Sequence, residues 1–83
     1  MKYFLYIIFS PKLNAYYVGH TSNIEDRIRK HNSNHKGYTG RANDWTLKYF
    51  ETFDSKTDAY AREREVKKWK SRIKIEKLIE LSR

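Results

Sequence analysis

From Tyr3 to Phe9 the chain reads Tyr-Phe-Leu-Tyr-Ile-Ile-Phe, an apolar run without polar alternation. A strand that is apolar on both faces must be covered on both, so this one belongs at the centre of a sheet. A polar break, Ser10-Pro11-Lys12-Leu13, separates it from a second run, Asn14 to Gly19. Taken as the connection of an antiparallel hairpin, the break sets Phe9 opposite Asn14 and Tyr6 opposite Tyr17, and residues directly opposite share a face. Gly19 ends the second strand in this reading, either terminating the pairing or letting another chain approach closely. His20 falls in a loop and takes no role.

Ser22 and Glu25 have the spacing of a capping box, which starts a helix at about Asn23. On that helix Ile24, Arg27, Ile28 and His31 recur at intervals of three and four, so Arg27 and His31 lie beside the core-facing stripe. A cation in that position calls for an anion. Residues 32–44 are polar and aperiodic, a loop from which Lys36, Tyr38 and Arg41 can reach a phosphate or simply face solvent. Trp45 to Phe53 reads as a third strand, with Trp45, Leu47 and Tyr49 on one face and Phe50 on the other.

Ser55 and Asp58 signal a second helix, from about Lys56 to Lys70. Ala59, Val66 and Trp69 mark its apolar side, and Glu63 shares that side. A carboxylate on a packing stripe is costly unless it is paired or holds a metal. Glu63 is therefore either an ion-pair partner of a helical arginine or of Arg27, or a ligand. Ser71 caps a last helix, Arg72 to about Leu81, with Ile75, Leu78 and Ile79 as its stripe. The expected fold is α+β, a small three-stranded antiparallel sheet packed with three helices, forming one domain over residues 1–83.

The formal net charge is +8, and Arg62, Arg64, Lys67, Lys68, Lys70, Arg72, Lys74 and Lys77 crowd the last third of the chain. Such a face attracts a polyanion, with Lys36, Arg41, Lys67, Lys68 and Lys70 as candidate nucleic-acid contacts; the plainer alternative is that these residues solvate two helices. The absence of cysteine excludes a disulfide framework and a thiolate metal site, and His20, His31 and His35 fit no zinc spacing. The N-terminal apolar run is too short to span a bilayer and lacks a cleavage site. A cytoplasmic protein without a membrane partner or small organic cofactor is expected.

The order Phe4-Leu5-Tyr6, Tyr17-Val18-Gly19, then Arg27 and His31 resembles the two signature segments and following helix of the GIY-YIG nuclease domain. The likeness is greatest to the small stand-alone bacterial members related to the N-terminal domain of the C component of the ABC excinuclease, and covers nearly the whole chain. Phe4-Leu5 stands where Gly-Ile is usual. No asparagine follows Asn43, whereas many relatives carry one late in the domain together with a further DNA-binding region. The resemblance implies a metal-dependent DNA endonuclease, in repair or processing, with Tyr6, Tyr17, Arg27 and His31 as catalytic residues. It makes Tyr6 the general base, Tyr17 and His31 the groups that position water and relay its proton, and Glu63, in an A-x-x-x-E setting, the ligand of Mg²⁺ or Mn²⁺. Two alternatives stay open: a non-catalytic basic module that binds nucleic acid with the nuclease fold, and an interaction module for an acidic protein.

Overall fold

The computed structural model describes residues 1–33, 37 and 39–82. Strands β1 (Tyr3–Ser10) and β2 (Ala15–Thr21) lead into helix α1 (Ile24–Ser33). A 3-10 turn, Thr39–Arg41, precedes β3 (Thr46–Phe53), and helices α2 (Lys56–Lys68) and α3 (Arg72–Leu81) complete the order. The sheet is antiparallel throughout with order β2-β1-β3, so the run that is apolar on both faces is the central strand, as its composition requires.

Two cores form on the two faces. Leu5 and Ile7 pack with Val18, Val66 and Ile79 under α2 and α3. Tyr6 and Ile8 pack with Ala42 and Trp45 on the side closed by Ile28 of α1. The α+β fold of three strands and three helices is as the pattern of runs and caps predicts. Both later caps form: the Ser55 hydroxyl accepts from the Asp58 N–H and that of Ser71 from the Lys74 N–H. Among the described residues no helix is long and apolar enough to cross a membrane.

The hairpin register differs from the expected one by two residues. Phe9 stands opposite Tyr16 and Tyr6 opposite Gly19, because the turn is Pro11 to Asn14 and Ser10 stays in the strand. Asn14 adopts a left-handed conformation (φ 51°), and its N–H donates to the Pro11 carbonyl at 3.2 Å. The buried Ser10 hydroxyl donates to Asp44 Oδ1 at 2.5 Å and accepts the Leu13 N–H at 3.1 Å, while Asp44 Oδ2 accepts the Lys12 N–H at 2.8 Å. An even shift leaves every side chain on its face, so Tyr6 and Tyr17 still share one, as diagonal rather than direct neighbours.

Three further boundaries move. β2 continues through Gly19 to Thr21, which puts His20 in the strand. Asn23, not Ser22, caps α1: its Oδ1 accepts the Asp26 N–H at 3.0 Å. In β3 a register shift opposite Ile7 and Ile8 interrupts the alternation, so Trp45 joins the Tyr6 core and Tyr49 the Leu5 core rather than sharing a face.

Candidate active site

The Tyr6 ring is the pivot of the α1 face. It is 1% exposed and lies across β2 at Gly19, where a Cβ would stand 2.5 Å from its hydroxyl oxygen and 2.7 Å from Cζ. Only glycine leaves room, and the consequence is chemical: the phenol reaches past its own strand to the edge of the sheet. There its hydroxyl meets His31 Nε2 at 2.7 Å. His31 Nδ1 is 2.8 Å from the Thr39 hydroxyl, and the Trp45 indole N–H holds that turn by donating to the Thr39 carbonyl at 2.8 Å.

Arg27, one turn before His31, is exposed and lies within hydrogen-bonding reach of the same phenol. The Tyr6 phenol raises the guanidinium further above its already high value, and burial works against it. Burial pushes the Tyr6 phenol up to about 12, against the opposing pull of Arg27. Burial, with the Arg27 charge adding to it, brings His31 down to about 4, so its imidazole is neutral at physiological pH. A neutral imidazole that accepts the phenol proton at Nε2 donates from Nδ1 to the Thr39 hydroxyl. Tyr17 completes the cluster: its ring stands edge-on to His31 at 5.1 Å and 6.5 Å from that of Tyr6.

Glu63 approaches from the other face. One turn after Ala59 on α2, its side chain is 12% exposed, with Oε1 2.6 Å from His20 Nδ1 and Oε2 2.9 Å from Lys67 Nζ. Burial alone would raise the carboxyl, but these two partners outweigh it and hold it below the usual carboxylate range. Lys67 joins the two halves of the site, since its ammonium also lies 5.4 Å from the centre of the Tyr17 ring. Glu63 is close enough to act electrostatically on Tyr6 and Arg27 around the β2 edge.

Among the described residues no three histidine, cysteine, aspartate or glutamate side chains converge as a metal cage. One ionised carboxylate fits a hard cation that keeps its waters and takes substrate oxygens, such as Mg²⁺ or Mn²⁺. Its two donors occupy part of its lone-pair capacity and leave the rest for an ion.

The structure brings together Tyr6, Tyr17, Arg27 and His31 on one face and sets Glu63 at the adjoining edge. Arg41, Lys68 and Lys70 are exposed outside this group, whereas Lys67 is drawn into it. Lys36 and Tyr38 lie outside the described residues. His20 and Thr39 escaped the sequence reading. Continuing β2 past Gly19 would have put His20 on the Val18 face toward α2; the aperiodic loop around Thr39 offers no comparable signal.

Residues 2–77 match the model of the GIY-YIG catalytic domain. A UPF0213 protein of Staphylococcus haemolyticus is 41% identical over 81 residues, 95% of each chain. One from Halobacterium salinarum is 37% identical over 54 residues, 64% of this chain and 70% of its own. The solution NMR structure of a UPF0213 protein from Bacillus halodurans superposes with a TM-score of 0.61 at 33% identity, covering 98% of this chain and 85% of that one.

Proposed function

The chain belongs to the GIY-YIG family, and from that premise we propose that it is a divalent-metal-dependent endonuclease hydrolysing DNA phosphodiesters, in repair or processing in the cytoplasm. One observation carries the reading: a buried phenol is hydrogen-bonded at 2.7 Å to an imidazole kept neutral, with a guanidinium at the same hydroxyl. A core tyrosine needs one partner, and this one has an acceptor for its proton and a cation for its charge.

In hydrolysis a water oxygen forms a bond to phosphorus as the bond to the ester oxygen breaks. The water proton passes to the Tyr6 oxygen while the phenol proton passes to His31 Nε2. Burial is the main cause of the low His31 value and the Arg27 charge adds to it, so a phosphate on Arg27 offsets only that second contribution. Arg27 pairs with the phosphoryl oxygens in bidentate fashion. Tyr17 packs against His31 and fixes its ring. A divalent ion held by Glu63, aligned by His20 and Lys67, would supply Lewis-acid stabilisation of the phosphoryl and leaving oxygens.

The satisfied ion pairs of Glu63 favour one competing reading, a basic module that binds DNA without turnover. Incubating labelled single-stranded, duplex and branched DNA with Mg²⁺ or Mn²⁺ separates the two. The nuclease cleaves at least one form, Glu63→Gln binds DNA without cleaving it, and Arg27→Ala loses both activity and some affinity. No metal-dependent cleavage of any form, with equal binding by the Glu63→Gln variant, rejects the nuclease reading.

A further inference from the structure

Two shallow cavities of about 380 Å³ and about 410 Å³ adjoin along the start of α2 and share His20 and Lys56 in their walls. The first also takes in Thr21 and Arg27, the second Thr57 and Tyr60. Lying side by side across His20 and Lys56, they have Arg27 at one end and Tyr60 at the other, and we treat them as one cleft. No acidic residue among the described residues lines either part.

Lys56, Tyr60, Glu63 and Lys67 follow one another at four-, three- and four-residue intervals, a single stripe of α2 facing this cleft and the β2 edge. Tyr60 is 46% exposed, too open to be a core residue, yet its ring is held in place. It lies against the His20 ring at 5.3 Å, with the Arg64 guanidinium 5.8 Å from its centre. His20 is itself anchored by Glu63 at 2.6 Å. An exposed aromatic that merely covers surface requires no such bracing.

A basic groove with a braced aromatic beside it is the arrangement that binds one nucleic-acid strand: cations track the phosphates, and a base stacks on the ring. The faces of paired bases are covered by their neighbours in the helix, so this ring can use only an unstacked base. We infer that the cleft is the track of a single DNA strand, with Arg27 and Lys56 on its phosphates and Tyr60, braced by His20, as the platform for one unpaired base beside the scissile phosphate. Resting on the nuclease reading, this makes the preferred substrate single-stranded or flapped DNA rather than blunt duplex.

The test is fluorescence anisotropy in EDTA with a short labelled single strand and its blunt duplex, for the wild type, Tyr60→Ala and Tyr60→Phe, together with cleavage of a flapped duplex in Mg²⁺. Tyr60→Ala weakens single-strand binding about tenfold and leaves duplex binding nearly unchanged, while Tyr60→Phe binds as the wild type does. Position 60 is exposed and helical, so both variants fold, and circular dichroism verifies it. Equal losses on both DNA forms, or no loss on the single strand, overturns the strand track. Cleavage that persists alongside Tyr60-insensitive binding rejects the track alone; Tyr60-dependent single-strand binding with no cleavage by the wild type rejects the nuclease reading alone.

Discussion

The two faces that meet at the β2 edge are built in opposite ways. On the α1 face Tyr6 and His31 are buried, and each satisfies its polar atoms within the network. On the α2 side Lys56, Tyr60 and Lys67 lie open to solvent around a largely covered Glu63, held by ion pairs and ring contacts. Burial is what shifts the phenol and the imidazole, so protonation is controlled where water is excluded. The open side keeps its charges where ions and a polyanion exchange freely, and so suits binding rather than proton transfer.

Substitutions can break that contrast, and the largest effect belongs to the buried side. Tyr6→Phe preserves the ring but removes the atom that would pass the proton, and single-turnover cleavage falls about 10²–10⁴-fold with DNA affinity little changed. An equal loss of affinity would move Tyr6 from proton transfer to substrate binding.

Packing gives the next effect. Gly19→Ala forces a methyl group into the Tyr6 phenol, which has nowhere to turn, and urea denaturation shows a loss of about 1–3 kcal/mol. Tyr60→Ala, on the open side, stays within about 0.5 kcal/mol of wild type. Similar losses at the two positions would erase the distinction between the faces.

The pH dependence sharpens it further. His31 falls from 6.5 in the unfolded chain to about 4 in the fold, so between those values the unfolded chain binds more protons and stability rises with pH. The contribution is complete above about pH 6.5 and is lost as the pH falls toward 4, with a slope of at most about 1.4 kcal/mol per pH unit. The carboxylates of Glu51 and Glu63, held low by their partners, act mainly below this window. Denaturation midpoints between pH 4.5 and 6.5 therefore report on His31, and His31→Gln flattens them.

The smallest effect is on the outer surface. Charge reversal at Lys68 and Lys70 weakens binding to all DNA sequences about equally, and reduces the slope of log affinity against log salt by about two where each lysine holds one phosphate. A sequence-dependent loss would mean that these lysines read bases.

Local pattern made much of this architecture legible. Ser55 and Ser71 announced α2 and α3 because a cap is satisfied within one turn of its own helix. The same locality put Arg27 and His31 on one side of α1. The hairpin register was not local: Ser10 stays in β1 because its hydroxyl reaches Asp44, a residue far along the chain. The bulge in β3 likewise separates Trp45 from Tyr49, which simple alternation had joined. For Glu63 the spacing identified a carboxylate near the core face, but not that His20 and Lys67 would be its partners.

What the sequence determines by itself follows from periodicity and capping: a central strand apolar on both faces, three helices, and the faces on which Tyr6, Tyr17, Arg27, His31 and Glu63 stand. These depend on spacings of two to four residues, which any stretch of chain carries within itself. Tertiary structure alone decided that Gly19 admits the Tyr6 ring, that Thr39 orients His31, and that His20 and Lys56 wall both the cavity at Arg27 and the one at Tyr60. Each of these joins residues from different elements, and their distances are set only when two faces of a sheet are packed and one strand edge is left open.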